Sequence, residues 1–324
     1  MRAPNMLSIR NRLLLCFKTM RIDNIVGQPV SWALLSAFFI IDVLWSSIIK
    51  LQIRIGWEPP VATCALLLLS ISIRGWTRRL SDIAENIALW IVFTETGCLL
   101  TYLGATGAFP LQDNTLANLD HFLGFDWLAC RNFVVNYPHL HLVLAWAYKS
   151  LLWQILFTVI FLSALGRSER CAELLLLAAF ALLITVPIAA FWPALGPFAT
   201  FGGDQGLTAY LPHLLALRAG APWHFSPPLQ GIITMPSYHT VLAILLTYAY
   251  RGTGPGGGMG PVGWAVAVLN GVMLVAIAPI GGHYFVDMIG GGAIALLCIL
   301  GSRRELLIPG CQAVAAIGSA RKRR

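Results

Sequence analysis

Long apolar blocks separated by short polar connections make up most of this chain. A helix rises 1.5 Å per residue, so a block of about 20 residues spans a hydrocarbon layer of roughly 30 Å. Eight blocks approach or reach this length, at 31–50, 57–73, 83–104, 139–164, 171–191, 236–250, 262–280 and 284–301. The pattern therefore predicts an all-α integral membrane protein with about eight transmembrane helices.

The composition supports a membrane protein, since 57% of the residues are hydrophobic and only 11% are charged. Soluble domains carry about 25% charged residues, so this chain lacks the polar surface that soluble domains would need. The net charge of +8 is spread over short loops and tails, which argues against a nucleic-acid partner. The seven cysteines show no CxxC pairing, and we expect neither a disulfide framework nor a zinc site.

The basic residues predict how the chain is oriented in the membrane. If the amino terminus is cytoplasmic, the inner loops and tails hold 17 of the 22 Lys and Arg residues. Such an excess is the usual signature of cytoplasmic loops. We therefore expect the basic segment 1–30 and the basic tail 302–324 to be cytoplasmic. A compact chain with basic tails fits a bacterial inner membrane.

Two long connections lie on the outer side in this topology. Residues 105–138 carry an amphipathic pattern, with Leu116 and Phe122 among its apolar positions, which predicts a segment along the membrane interface. Residues 192–235 are rich in proline and aromatic residues. We expect them to form an ordered cap over the outer helix ends.

A first polar motif, MPSYHT, opens the sixth predicted span at residues 235–240. Proline in the first turn is a helix start signal, and the unpaired N–H groups of that turn form a ready anion site. Ser237 and His239 add a hydroxyl and an imidazole beside these groups. Residues two apart do not share a helix face, so both reach one ligand only if Ser237 precedes the regular helix.

A second polar motif, GGHYFVD, opens the eighth predicted span at residues 281–287. His283 and Asp287 are four residues apart and therefore share one helix face. A carboxylate in that position holds one imidazole nitrogen as N–H and leaves the other with a free lone pair, as a nucleophile needs. The two glycines before His283 permit close backbone approach by a ligand.

The topology predicts that the two motifs meet, although His239 and His283 are 44 residues apart. The chain runs inward from Ser237 and returns outward near residue 280, so both motifs lie at the outer membrane face. An isolated histidine beside a membrane helix commonly makes only an interfacial hydrogen bond. Two histidines with a carboxylate and helix N-termini indicate a phosphoryl-transfer site. If the intermediate is a phosphohistidine, no metal is required, and we expect no cofactor.

These motifs resemble the second and third signatures of the type 2 phosphatidic acid phosphatase (PAP2) superfamily, whose core is a six-helix bundle. The resemblance covers roughly residues 110–300. The HYFVD spacing, FWPALGP at 191–197 and NLDHFLGFDW at 118–127 are more similar to the branch that contains inositol phosphorylceramide synthase. The apolar blocks predict N-terminal transmembrane helices over 31–104, and the resemblance implies a PAP2-like catalytic membrane domain over 105–301.

The resemblance also implies a role for each motif residue. His283 would attack phosphorus and Asp287 would orient it, while His239 would protonate the leaving group and then activate the acceptor. Ser237 would bind a phosphate oxygen. The substrate would be a lipid phosphate or a phospholipid at the outer leaflet, with no obligatory protein partner.

The chain departs from the superfamily in two places. The hydrolase signature has Ser-Arg shortly before the third-motif histidine, where this chain has Ala276 and Ile277. A first motif of Lys, six residues and Arg-Pro is also missing, so the phosphate would lack its usual cations. Arg218 in the outer loop and Lys149 in the fourth span are the candidate substitutes.

Three functions stay open. Water as the acceptor makes the protein a lipid-phosphate phosphatase, which is slightly favoured because water needs no acceptor pocket, whereas a lipid hydroxyl makes it a headgroup transferase. Asp42, Glu95 and Lys149 lie within predicted spans, where ionisable residues are costly, and they motivate a transporter as a more distant alternative. A structural ion pair between Glu95 and Lys149 is the simpler interpretation, since the sequence shows no paired halves.

Overall fold

A computed structural model describes residues 28–53, 56–202, 210–220, 224–225 and 231–303 of the chain, with the backbone alone at 52–53 and 224–225. Most of the predicted cytoplasmic segment 1–30, and the tail from residue 304, lie outside the described residues. The elements in chain order are α1 (Gln28–Ile48), β1 (Gln52–Ile53), α2 (Glu58–Ile73), α3 (Arg78–Ala105), α4 (Asp113–Phe122), α5 (Trp127–Asn136), α6 (Pro138–Lys149), α7 (Leu151–Ala164), α8 (Ser168–Phe191), α9 (Pro197–Phe201), α10 (Leu211–Arg218), β2 (His224–Phe225), α11 (Tyr238–Ala249), α12 (Pro261–Gly281) and α13 (Phe285–Arg303).

The structure confirms the all-α membrane architecture, because each of the eight predicted spans is helical. Within the described part of the chain, five helices are long and apolar enough to cross a membrane, namely α1, α3, α8, α12 and α13. The bent pair α6–α7 forms a sixth candidate crossing. The two shortest predicted spans, α2 and α11, are apolar helices below the spanning length used for the others.

The fourth predicted span is a bent pair of helices rather than one straight helix. The axes of α6 and α7 differ by 50°. Ser150 lies at the bend, and its Oγ donates to the carbonyl oxygen of Ala147 at 2.7 Å. Hydroxyls that bind nearby backbone carbonyls commonly bend helices. The bend leaves Tyr148, in the last turn of α6, at the wall of an internal cavity.

Helix α8 lies at the centre of the bundle. It contacts α3, α7, α11 and α13, and Ala178, Ala179 and Ala181 on it are fully buried. Small side chains let helices approach closely in a membrane, where packing contacts hold the helices together. The outer faces of the bundle stay apolar, for example at Leu142 and Val268, as contact with lipid requires.

The two long connections fold into short elements. Residues 105–138 form α4 and α5, and the described parts of 192–235 contain α9, α10 and β2. Strands β1 and β2 pair in parallel, with Gln52 opposite His224. This two-residue sheet ties the connection between α1 and α2 to the loop after α10.

Helix α13 packs closely against the start of α11 at Gly291. A Cβ atom at Gly291 would overlap the carbonyl oxygen of Ser237 and lie 3.0 Å from Cβ of Thr240. The N–H of Ser237 donates to the carbonyl oxygen of Asp287, one turn earlier on α13, at 2.9 Å. The two helices that carry the motifs are therefore in direct backbone contact.

Replacing Gly291 with alanine should lower the free energy of unfolding by about 1–3 kcal/mol, because the added methyl group overlaps backbone. Gly271→Ala on α12 is the matched control, since a Cβ there meets nothing within 4 Å. Alanine also favours a helix over glycine by up to about 1 kcal/mol. Unfolding in detergent micelles measures both variants, and a Gly291→Ala protein as stable as the wild type would contradict this packing.

Candidate active site

The start of α11 and the loop between α12 and α13 bring the two predicted histidines together. Helix α11 begins at Tyr238, so His239 is its second residue. His283 lies in the short connection between the end of α12 and the start of α13. The centroids of the two imidazole rings are 6.3 Å apart, so both rings can contact one small bound group.

Gly282 turns the chain at the end of α12. Its φ of 69° and ψ of 41° are left-handed, a conformation that favours glycine at a helix C-terminus. A Cβ atom at Gly282 would also overlap the ring of Phe198. Backbone conformation and close packing therefore both require glycine beside His283.

Helix α5 binds the carboxyl-terminal end of α12. Trp127 Nε1 donates to the carbonyl oxygen of Ala278 at 2.9 Å, and Arg131 Nη1 donates to that of Pro279 at 3.0 Å. The last carbonyls of a helix lack partners within the helix, and a cation there suits the helix dipole. These two bonds fix the helix end from which the loop of His283 leaves.

The backbone carbonyl of Thr234 determines the tautomer of His283. Nδ1 lies 2.9 Å from the carbonyl oxygen of Thr234 and 3.5 Å from Oδ2 of Asp287. A carbonyl can only accept, so Nδ1 carries the proton and Nε2 keeps a free lone pair. Asp287 is beyond ordinary hydrogen-bond length from Nδ1, and its Oδ2 accepts from the N–H of Tyr284 at 2.9 Å. The orienting carbonyl was missed because no side-chain pattern marks a backbone acceptor.

Burial keeps the imidazole of His283 neutral. The residue has an exposed fraction of 5%. Loss of solvation lowers the pKa of His283 from 6.5 to about 4, although the hydrogen bond to the carbonyl of Thr234 opposes this shift. A neutral ring with its proton on Nδ1 presents the Nε2 lone pair that nucleophilic attack requires.

Tyr148 stacks on the ring of His239. The ring centroids are 4.5 Å apart and the planes differ by 14°. His239 is half-buried, and both residues line the same cavity. No sequence motif singled out Tyr148, because the contact depends on the bend between α6 and α7.

Asp120 on α4 binds the start of α13. Its two carboxylate oxygens accept from the N–H groups of Phe285 at 2.8 Å and Val286 at 2.9 Å. These N–H groups have no partner within the helix, and a carboxylate suits the positive end of the helix dipole. A carboxylate of the protein itself therefore occupies the N–H groups at the start of α13. The anion site predicted from the first motif belongs to α11.

Asp113, also on α4, binds the loop before α9. Its carboxylate accepts from the N–H of Leu195 at 2.9 Å and of Gly196 at 2.8 Å. Its Oδ1 also accepts from the hydroxyl of Tyr284 at 3.2 Å. Sequence reasoning missed Asp113 and Asp120, since acidic residues in an amphipathic segment are usually solvated, although Asp120 belongs to the NLDHFLGFDW segment.

Ser237 serves as the cap of α11. It is fully buried, and its Oγ accepts from the N–H of Thr240 at 3.4 Å. Its extended backbone precedes the regular helix, which is the condition under which Ser237 and His239 could reach one ligand. Ser237 is not among the described residues that line the cavity shared by the two histidines. A phosphate contact to its hydroxyl would therefore require the cap to rearrange.

No observed contact joins either candidate cation to the two histidines in the described part of the chain. Arg218, at the end of α10, donates to the carbonyl oxygens of Gly107 at 3.3 Å and Phe109 at 2.6 Å. Lys149, at the end of α6, is exposed. Neither lines the shared cavity in the described part of the chain. As phosphate ligands, both stay predictions without a contact that supports them.

The ionisable residues that motivated a transporter lie on three different helices. Asp42 on α1 is fully buried, and Glu95 on α3 lines a cavity that does not contain the histidines. The salt bridges between described residues include none that joins Asp42, Glu95 and Lys149 to one another. The simpler interpretation, an ion pair between Glu95 and Lys149, is therefore also not observed in the described structure.

Both histidines open on an internal cavity of 330 Å³. Its polar end is formed by His239, His283, Tyr148 and Tyr210. Most of the remaining wall is apolar and includes Trp90, Phe93, Leu151, Leu152, Ile155, Leu182 and Leu242. Ligand sites are typically of this size, with an apolar wall and a few polar groups that orient the ligand.

A second cavity of 390 Å³ adjoins the first. Both are lined by Trp90, Thr94, Leu152 and Ile155, so they share part of the wall between α3 and α7. Within the described ranges, no group of three or more His, Cys, Asp or Glu residues could hold a metal ion.

A family model described as the PAP2 superfamily matches residues 114–301, which is more than half of the chain. The matched region runs from α4 to α13 and contains both histidines, whereas α1 to α3 precede it. This superfamily comprises phosphatases and phosphotransferases. No curated protein and no solved structure is significantly similar to the chain. The match confirms the superfamily expected from the two motifs, while the branch with inositol phosphorylceramide synthase stays a prediction.

We expect the imidazole of His283 to stay neutral throughout pH 5–7, because burial lowers its pKa to about 4 in the folded protein. Nuclear magnetic resonance of histidine-labelled protein in micelles would follow the ring signals as the pH falls. The signal of His283 is identified by its loss in the His283→Asn variant. A titration midpoint at or above 6.5, the ordinary value for histidine, would contradict the burial argument.

Proposed function

The chain belongs to the PAP2 superfamily, and we propose that it transfers the phosphoryl group of a membrane lipid phosphate through a phosphohistidine formed on His283. The observation that carries this proposal is a pair of histidines, 6.3 Å apart, at the polar end of a mostly apolar cavity. Membership in the superfamily supports phosphatase-type chemistry. The mostly apolar cavity wall supports a lipid as the class of substrate.

The apolar wall favours a lipid over a water-soluble phosphate ester. Side chains of α3, α7 and α8 face the cavity beyond the histidines, and the described lining residues include no Lys, Arg, Asp or Glu. A polar headgroup fits at the histidines, while a hydrocarbon tail finds mostly apolar contacts along the remaining wall. A soluble phosphate ester would leave this wall without a complementary partner.

In the first step, Nε2 of His283 attacks phosphorus while the bond between phosphorus and the lipid oxygen breaks. His239 gives a proton to that oxygen, so the lipid leaves as a neutral alcohol. A phosphate monoanion brings this proton when it binds. The carbonyl of Thr234 and the carboxyl group of Asp287, 2.9 Å and 3.5 Å from Nδ1, stabilise the positive charge that develops on the ring.

In the second step, an acceptor oxygen attacks the phosphohistidine. His239 takes the proton of the acceptor, the N–P bond breaks, and its electron pair returns to Nε2 of His283. With water as the acceptor, the product is inorganic phosphate and the protein is a lipid-phosphate phosphatase.

A headgroup transferase is the second candidate, and the adjoining cavity favours it. A volume of 390 Å³ beside the first cavity offers space for part of an acceptor lipid. In that case the donor is a phospholipid, its lipid alcohol leaves in the first step, and His283 carries the phosphorylated headgroup. A lipid hydroxyl then replaces water in the second step and receives this headgroup. Adding lipid alcohols to the assay and following headgroup transfer distinguishes the two acceptors.

The positive-inside pattern supports placing the reaction at the outer membrane face. The histidines lie at the start of α11 and at the end of α12. The loop between these two helices contains Arg251 and belongs to the predicted cytoplasmic side. The active site would then face the periplasm in a bacterium or the lumen in a eukaryote.

Replacing His283 with asparagine should abolish phosphate release from a panel of lipid phosphates, because the amide cannot form the covalent intermediate. His139→Asn is the matched control, since His139 is exposed near the start of α6 and should not affect turnover. Purified proteins with equal thermal stability are compared. Full phosphate release by the His283 variant would show that it is not the nucleophile.

Replacing Asp287 with asparagine should slow turnover by about 10–100-fold. An Asp-to-Asn change beside a catalytic histidine costs roughly 10⁴-fold when it also alters the tautomer of that histidine. Here the carbonyl of Thr234 still holds the proton on Nδ1 of His283. Steady-state kinetics with one lipid phosphate measures the effect. A loss as complete as that of the His283 variant would mean that the carboxyl group, not the carbonyl, orients the ring.

A further inference from the structure

The cavity contains no described cation for the phosphate. Its described lining residues include neither Lys nor Arg, and Arg218 donates to two backbone carbonyls elsewhere. Phosphoryl transfer needs donors that meet the charge on the phosphoryl oxygens. Neutral side chains at the polar end of the cavity must therefore be considered as donors.

The hydroxyl groups that line the cavity differ in whether they already have a partner. Tyr238 donates to the carbonyl of Ala178 at 2.7 Å, and Tyr210 donates to that of Leu195 at 2.5 Å. The three lining threonines also donate to backbone carbonyls, through Thr94, Thr101 and Thr234. Among the described lining residues, Tyr148 is the one whose hydroxyl makes no hydrogen bond.

Tyr148 also touches both motifs. Its ring stacks on His239 with a centroid distance of 4.5 Å. Tyr148 also lies against Gly281, two residues before His283, where a Cβ atom would lie 2.6 Å from Cε2 and 3.0 Å from Oη of Tyr148. The unpaired hydroxyl therefore lies beside Gly281 at the start of the second motif, while the ring contacts His239.

Resting on the proposed function, we infer that Tyr148 is a further catalytic residue, whose hydroxyl donates a hydrogen bond to a nonbridging oxygen of the phosphoryl group. A neutral phenol suits this wall, because a cation there would have to be desolvated without an anionic partner before the phosphate binds. Once the phosphate binds, the donor meets a charged acceptor, and such hydrogen bonds are the strong ones.

If the role of Tyr148 were purely structural, removing its hydroxyl would leave the binding of phosphoryl groups unchanged. Stacking on His239 and packing on Gly281 need only the aromatic ring, which phenylalanine preserves. If the hydroxyl instead donates to the phosphoryl group, its removal should leave stability unchanged and weaken only the binding of phosphoryl groups. Tyr250 is the control for a structural hydroxyl. It is fully buried outside the cavity and donates to Oγ1 of Thr158 at 3.1 Å.

Tyr148→Phe and Tyr250→Phe test the inference as a matched pair in the full-length protein. Isothermal titration with dodecylphosphonate in micelles gives Kd, and thermal unfolding gives stability. We expect Tyr148→Phe to raise Kd at least about tenfold with an unchanged Tm. Tyr250→Phe should lower Tm and leave Kd unchanged.

An unchanged Kd in Tyr148→Phe, or no binding of the phosphonate to the wild type, would overturn the inference. Phosphate release is measured separately on the same preparations. A wild type that binds the phosphonate through Tyr148, but neither releases phosphate nor transfers a headgroup to added lipid alcohols, would remove the proposed function and leave the binding role of Tyr148 standing.

Discussion

Where the backbone leaves a helix inside or beside a membrane, its N–H and carbonyl groups need hydrogen-bond partners within the protein, because lipid offers none. The segments around His283 meet this need through α4, whose Asp120 binds two N–H groups at the start of α13 and whose Asp113 binds two in the loop before α9. The imidazole itself donates to the carbonyl of Thr234. The hydrogen bonds that stabilise the irregular segments around His283 therefore also orient its imidazole.

The proposed reaction depends on side chains in the cavity that carry no charge. Burial lowers the pKa of His283 to about 4, so its ring is uncharged at neutral pH and its Nε2 can act as a nucleophile. A positively charged side chain in the same apolar wall would face a large cost of desolvation before the substrate arrives. Hydrogen-bond donors without charge avoid this cost, and in the proposed reaction the phosphate brings the charge into the cavity.

Local patterns made the spans and the meeting of His239 with His283 predictable, because apolar length and chain direction determine which helix ends are neighbours. The partners of these histidines were not predictable. Tyr148 reaches His239 through a bend between two helices, and Thr234 contributes a backbone atom. Ser237 shows how one signal has two meanings, since a serine before a helix can cap it or bind an anion, and here it caps.

The covalent intermediate on His283 is the central claim, and trapping it is the most direct test. Wild-type protein is mixed with a lipid phosphate for milliseconds and quenched in alkali, in which phosphohistidine survives, and mass spectrometry then locates the phosphate. We expect phosphate on Nε2 of His283 and none on the His283→Asn variant. Turnover with phosphate on a different residue, or with no phosphoenzyme formed at any time during turnover, would contradict the account.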